Sequence, residues 1–403
     1  MPADIVRVAV LAPLHLGFAR TALYGIARAA RSHLAATSGD AGSTAARPWT
    51  FMFLPTLTIH QDEDVVRSLR EFAPHAIIAS LDTSKLRAMV ARFGVPTVEL
   101  FQIDRVAAYP GVSLDEEGIG RLAAEHFLDR GFDRFAIFGD LHFHWSVHRA
   151  AGLKKALATP RSTIKSNRPA AQIVATFEQA YTASSQVIAQ WLGTLPRPVA
   201  VFATTDSFAA RLLDIARAEG IPVPDGLAVL GVDDDEFLCI FSTPPLSSVQ
   251  TGLELLGATA VSLLDRMLAG EAVACETIVV PPRGIVTRRS TDMLAIGDAE
   301  VVAALKFIRQ RRDTRITVDD VAHDAALSRR ALERRFTQVT GRSILDEIHR
   351  ARADRIKELL QTDLSQEQIA HLCDFSSAQR MVQMFKSITG ITPSEYRRLQ
   401  GKM

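Results

Sequence analysis

The sequence is poor in the residues that announce chemistry. Three cysteines, Cys239, Cys275 and Cys373, are scattered through 403 residues. They make neither a disulfide framework nor a paired metal spacing, so a stapled extracellular fold and a thiolate metal centre are not expected. No apolar run reaches the length that crosses a bilayer. The opening Met-Pro-Ala-Asp-Ile-Val-Arg lacks a basic segment followed by an apolar one, so no export leader is expected and the cytoplasm is the expected compartment. The serine-hydrolase, zincin, P-loop and dinucleotide motifs are missing, and Gly118-Ile-Gly120 lacks a third glycine. His142-Phe-His144 reads as a loop rather than a metal site. No catalytic residue, metal or cofactor is therefore expected. One sign of charge does not dominate either: 46 Lys and Arg stand against 45 Asp and Glu, for a net +1.

What is present is apolar patterning and a hidden charge asymmetry. Apolar residues make up 47% of the chain, enough at this length for two or three packed domains. From Asp298 onward 19 basic residues face 15 acidic ones, leaving 27 against 30 before it. The positive excess therefore sits at the C-terminal end, as a phosphate-binding surface requires.

The first 290 residues alternate strand and helix. Ile5–Leu11 is apolar except for Arg7, the mark of a parallel strand buried on both faces. A loop over Ala12–Arg20 leads to a helix, a surface loop is expected over Gly39–Arg47, and strands follow at Trp49–Leu54, Ala76–Ser80 and Pro96–Leu100, with helices at Asp62–Phe72 and Lys85–Phe93 between them. The alternation restarts at Val112–Asp115 and runs through strands Arg134–Gly139, Pro198–Ala203 and Leu227–Val232. Two doubly wound parallel sheets in one chain predict an α/β two-lobed clamshell, with ligands at the carboxyl ends of its strands. The expected domains are a sensor over residues 1–290, whose chain crosses between lobes near 113–115, 247–250 and 277–281, a linker over 291–297, and an all-α domain over 298–403.

That last domain reads as two helix pairs in tandem. In the first, Val318, Val321 and Ala322 share a face, a turn falls at Ala325–Leu327, and Ser328 caps a second helix burying Leu332 and Phe336. About fifty residues later Ser365 opens a helix through Ile369, Ala370 and Cys373, and a turn at Asp374-Phe375 precedes a helix burying Met381 and Phe385. Ser343–Leu360 reads as an amphipathic helix joining the pairs. A helix-turn-helix buttresses with one helix and offers polar side chains of the next to the major groove. Arg329, Arg330, Glu333 and Arg334 hold that position in the first pair, and Gln379, Arg380 and Gln383 in the second, so double-stranded DNA is the expected partner.

Two resemblances sharpen the reading. Phe375-Ser-Ser-x-Gln-x-Met-x-Gln-x-Phe-Lys386 and Thr389-Gly-Ile-Thr-Pro-Ser-Glu-Tyr-Arg-Arg398 resemble the closing motif of AraC-type transcription activators. Tyr109-Pro-Gly-Val-Ser-Leu-Asp115, Val201-Phe-Ala-Thr-Thr-Asp206, Ile221–Asp234 and Pro244-Pro-Leu-Ser-Ser-Val-Gln250 resemble the lactose-repressor family, which shares the fold of type I periplasmic sugar-binding proteins. A sensor of the second kind ahead of a reader of the first is the arrangement of pentose-operon activators. It implies a sugar effector, D-xylose first, a homodimer, activation with RNA polymerase as a further partner, and closure of the lobes on the sugar.

The resemblance also implies the site. Arg149 matches a ligand-binding position of the family, and Asp233 ends the apolar run Leu227–Val232, at the carboxyl end of a strand where ligands bind. Trp145, in the loop just before a helix expected over Ser146–Ala158 and one turn before Arg149, is placed to stack on a sugar ring or to pack. Asp206 either caps a helix or touches ligand. His15, Phe18 and Arg20 form the loop expected opposite. Ala19 and Thr205 depart from the family pattern. A sugar-binding protein without DNA binding, or an enzyme, is the alternative that the basic C-terminal pair of motifs argues against.

Overall fold

A computed structural model describes residues 5–14, 16–37, 48–56, 62–81, 83–101, 108–159, 171–293, 298–360 and 362–399. In chain order the elements are β1 (Val6–Ala12), α1 (Gly17–Thr37), β2 (Trp49–Pro55), α2 (Asp62–Phe72), β3 (Ala76–Ser80), α3 (Ser84–Ala91), β4 (Thr97–Leu100), β5 (Gly111–Leu114), α4 (Glu116–Asp129), β6 (Arg134–Phe138), α5 (His144–Ala158), β7 (Gln172–Phe177), α6 (Ser185–Thr194), β8 (Val199–Ala203), α7 (Asp206–Ala218), β9 (Leu227–Val232), α8 (Glu236–Phe241), β10 (Ser247–Gln250), α9 (Leu253–Leu268), β11 (Thr277–Val280) and β12 (Gly284–Val286). A 3-10 turn over Arg289–Thr291 follows, then α10 (Ala299–Gln310), α11 (Val318–Asp324), α12 (Arg329–Thr340), α13 (Ile344–Leu360), α14 (Gln366–Leu372), α15 (Ala378–Thr389) and α16 (Pro393–Leu399).

The chain divides into two compact units. One holds residues 1–116 and 250–284, the other 117–249 and 285–403. In the first, six strands run in the order β11-β5-β4-β3-β1-β2. Val8–Leu11 of β1 and Ala76–Ala79 of β3 are fully buried, which is why these strands read as unbroken apolar runs. The second unit begins with a sheet of order β12-β10-β9-β8-β6-β7, and its β6, β8 and β9 are parallel neighbours. Phe135, Phe138 and Phe202 fill the space on its faces.

Two helices of this second sheet's lobe touch without a side-chain layer between them. A Cβ on Gly120 of α4 would stand 1.9 Å from the Arg149 carbonyl oxygen of α5, and one on Gly152 of α5 would stand 2.1 Å from the Glu117 carbonyl oxygen. Glycine is needed at both places because the backbones themselves meet. This is the use of Gly120, which no phosphate-binding loop requires.

The helical tail has two cores joined by one helix. Val301, Leu305, Val321, Leu332, Phe336, Ile344 and Ile348 form the first core. Ile356, Leu360, Ile369, Met381 and Phe385 form the second. α13 therefore gives its first half to one core and its second half to the other. The local chemistry repeats as well. Thr317 with Asp320 and Ser365 with Gln368 are reciprocal capping boxes at the starts of α11 and α14. Ser328 and Ser377 cap α12 and α15, and left-handed Gly341 and Gly390 end them.

Several elements differ from expectation. α1 begins at Gly17, so Phe18 and Arg20 stand on a helix rather than in a loop. α5 begins at His144, which moves Trp145 from a loop onto a helix. The expected featureless linker begins as the 3-10 turn, with Ser290 and Thr291 buried. α10 has buried Val301, Ala304, Leu305 and Ile308. Their spacing is the helical signal that identifies it. His15, the surface loop expected over Gly39–Arg47 and part of the linker lie outside the described residues.

Candidate ligand site and DNA-reading helices

Four of the candidate ligand residues, Trp145, Arg149, Asp206 and Asp233, lie at the carboxyl ends of β8 and β9, adjacent strands of the second sheet, and at the start of α5, whereas Phe18 and Arg20 lie in the first unit. Asp233 leaves β9 with φ 106° and Asp234 follows at φ 52°. Two consecutive non-glycine residues at positive φ cost about 1–3 kcal/mol each, and such strain concentrates where a side chain must be aimed. Arg149, buried on α5, donates from Nη1 to the Thr204 carbonyl at 2.7 Å and from Nη2 to Asp233 Oδ1 at 3.5 Å. Among the described residues the other oxygen of Asp233 has no hydrogen-bond partner. Burial pushes the Asp233 carboxyl up, and the Arg149 guanidinium pulls it back. A half-matched, poorly hydrated ion pair of this kind favours a ligand whose hydroxyls complete it.

Asp206 stands behind that pair. Its Oδ1 accepts from the Ser248 hydroxyl at 2.6 Å and its Oδ2 from the Asp235 amide at 2.8 Å. It is 2% exposed, and burial, followed by the Asp233 charge, holds its carboxyl well above the ordinary carboxylate range. The helix cap is Thr205, whose hydroxyl accepts from the Phe208 amide at 3.3 Å. Asp206 is the first residue of α7 rather than its cap: its Oδ2 holds the Asp235 amide directly, and its Oδ1 reaches the same turn through Ser248, whose hydroxyl accepts the Asp234 amide. Sequence spacing could not reveal this, because the partners lie 29 and 42 residues away.

Trp145 is stacked on Phe143 at 5.1 Å between centroids and 15° between planes, with the Arg149 guanidinium 5.1 Å from its ring centre. It props the arginine from one side. In the first unit Phe18 meets Phe101 edge to face at 5.2 Å, and Arg20 donates to the Leu14 carbonyl at 3.4 Å. His142, singled out by its spacing to His144, pairs with the buried Asp140 at 2.7 Å. Among the described residues no group of three or more His, Cys, Asp or Glu could hold a metal. No described helix is long and apolar enough to cross a membrane.

In the tail, α12 exposes Arg330 and Arg334, and neither makes an ion pair among the described residues. Arg329 instead bonds Glu333 at 3.0 Å and Asp319 at 3.2 Å, so these partners neutralise one another on the same surface. Arg335 belongs to the fold, binding Asp298 and Glu300 at 2.8 and 2.9 Å. On α15, Gln379, Arg380 and Gln383 are exposed. Arg380 and Gln383 line a groove of about 540 Å³ with Arg315, His349 and Arg352. The turn before α15 carries Asp374 at φ 53°, as Ala326 stands at φ 52° before α12. Arg352 steadies the second turn: its Nη2 donates to the Cys373 and Asp374 carbonyls at 2.6 and 3.3 Å, and its guanidinium lies 3.7 Å over the Phe375 ring. The Asp374 carboxylate accepts the Arg315 amide at 3.0 Å, joining the two helix pairs.

Comparison with known proteins agrees with this anatomy. Residues 124–291 match a periplasmic binding protein-like domain and residues 321–399 a helix-turn-helix domain. Two α/β lobes with a polar, strained site at strand ends, followed by a doubled DNA-binding helix-turn-helix, define a one-chain, ligand-responsive transcription regulator. The xylose operon regulatory protein of Haemophilus influenzae is 30% identical over 338 residues, 82% of this chain and 86% of that protein. That of Escherichia coli K12 is 30% identical over 340 residues with the same coverage. The chain belongs to the xylose operon regulatory protein family. The solved structure of a xylose-binding transcription activator superposes with a TM-score of 0.58 at 25% identity over 99% of both chains. A dimeric lac repressor, 22% identical over 72% of this chain and 99% of its own, shares the lobes' fold with a TM-score of 0.55.

Proposed function

We propose that the protein is a cytoplasmic, D-xylose-responsive activator of pentose-catabolism genes. Residues 1–290 act as the sensor, 291–297 as the linker and 298–403 as the reader. The observation that carries the ligand assignment is the Arg149–Asp233 pair, held at 3.5 Å on strained backbone at the carboxyl end of β9. Adjacent sugar hydroxyls both donate and accept, so a fixed cation and carboxylate bind them together. A sugar with a misplaced hydroxyl leaves a buried polar group unpaired, at about 1–3 kcal/mol. The relatives' names support xylose over other sugars. Arg330 and Arg334 of α12 and Gln379, Arg380 and Gln383 of α15 are the proposed base readers, with Arg329 and Glu333 orienting each other beside them. A homodimer is proposed with the dimeric lac repressor as its support, and RNA polymerase is the proposed partner in activation.

Titration calorimetry of the purified chain with D-xylose, L-arabinose, D-ribose and D-glucose tests the sensor. D-xylose is expected to bind at least tenfold more tightly than the other three. A hexose bound tightly with no xylose heat overturns the pentose assignment.

A further inference from the structure

We propose that Asp129, in the last turn of α4, is the positioning residue through which the ligand-binding lobe sets the DNA-binding domain. The proposal deepens the reading above and rests on it.

The path begins at Arg149. That residue lies on α5, and the α5 backbone rests directly on α4 at Gly120 and Gly152. Where side chains separate two helices, a small shift is absorbed by rotamers. Here carbonyl oxygens meet glycine α-carbons, so a displacement of α5 carries α4 with it, and close-packed elements move as discrete units. α4 is a single fourteen-residue helix, which transmits the movement to its far end.

At that end one residue touches two parts of the reader and reaches a third through one of them. The Asp129 carboxylate accepts from Arg342 Nη2 at 2.6 Å, and its carbonyl from Arg309 Nη2 at 3.4 Å. Arg342 directly follows the glycine that ends α12, the first DNA-reading helix. Its Nη1 also donates to Glu347 of α13 at 3.4 Å, and Arg309 belongs to α10. Asp129 therefore contacts α10 and the turn after α12 directly, and reaches α13 through Arg342. The cluster is largely shielded: the Arg342, Asp129 and Glu347 side chains are 18%, 29% and 11% exposed. Burial pushes the Glu347 carboxyl up, and the Asp129 charge adds to that.

The covalent route to the reader is fastened to the same turn. Arg130, the next residue, donates to the Thr291 carbonyl at 2.8 Å and the Thr287 hydroxyl at 3.2 Å, and the buried His126 shares a 2.9 Å bond with the Thr291 hydroxyl. Thr291 and Thr287 belong to the segment that leads into α10. The ion pair and the chain itself thus both converge on residues 126–130. A ligand shifts an equilibrium only by its differential affinity for the two states, and a shared pivot lets sugar binding and reader position belong to the same pair of states.

The test uses the full-length chain with Asp129→Ala, Arg342→Ala, their combination and Arg342→Lys. D-xylose affinity is measured by calorimetry, and affinity for a DNA fragment selected by the wild-type protein is measured with and without D-xylose. Xylose affinity is expected to stay within twofold of wild type. The ratio of the two DNA affinities is expected to fall at least fivefold toward unity in each alanine variant, no further in the double variant, and to recover in part with Arg342→Lys. Alanine variants that keep the wild-type ratio, or that lose DNA affinity equally in both conditions, overturn the coupling role and leave the functional reading standing. A wild type whose DNA affinity ignores sugar overturns the functional reading and this proposal with it.

Discussion

Replacing Asp233 by alanine is expected to abolish the sugar response. Its carboxylate is the proposed charge-assisted acceptor for the ligand and faces Arg149. Removing it costs the ligand about 2–4 kcal/mol, or about 30- to 700-fold in Kd. Part of that effect comes from leaving the Arg149 guanidinium without its acid in a buried place. Alanine also sits poorly at φ 106°, so Asp233→Asn is the companion variant. Asparagine tolerates positive φ better than most residues and keeps the shape while losing the charge. It is expected to weaken D-xylose binding at least tenfold with an unchanged melting curve in the absence of sugar. Xylose affinity within twofold of wild type for both variants would place the ligand elsewhere.

The second large effect belongs to the reader. Arg334→Ala is expected to cost about 1–3 kcal/mol at the cognate site and to relax base preference there, because arginine reads guanine through a bidentate contact in the major groove. Arg334 is exposed on α12 without an ion pair among the described residues. Arg329 is already committed to Glu333 and Asp319, and Arg329→Ala is expected to cost less. Competition binding on cognate and random DNA checks the difference. An equal loss on both would make Arg334 a phosphate contact and leave base reading to other side chains.

The parts of this molecule legible in its sequence are those fixed by local chemistry. Buried parallel strands write themselves as apolar runs, as in Leu227–Val232, and a serine or threonine before an apolar face marks a helix start, as at Ser328 and Ser365. The tandem motif was legible for the same reason, since each cap, turn and buried aromatic acts within a dozen residues. Arg149 came from resemblance and Asp233 from its place at the end of an apolar strand, and the fold brings them together from 84 residues apart. What stayed hidden depends on distant partners. Asp206 looks like a helix cap until Ser248 and the Asp235 amide are seen to take its oxygens. Asp374 reads as a turn residue, and its carboxylate finds the Arg315 amide 59 residues away. The start of α1 at Gly17 has no capping side chain to announce it. α10 did carry a legible apolar spacing, at Val301, Ala304, Leu305 and Ile308, overshadowed by the polar segment before it.

The central claim is that one chain couples sugar binding to DNA recognition. The most direct measurement is the affinity of the purified full-length protein for a DNA fragment it has itself selected from a random pool, titrated at fixed salt with and without saturating D-xylose. A coupling free energy of about 1–3 kcal/mol predicts that D-xylose changes this affinity by about 5- to 150-fold, while L-arabinose at the same concentration leaves it nearly unchanged. Tight, sequence-specific DNA binding that is identical in the presence and absence of every sugar tested would contradict the account.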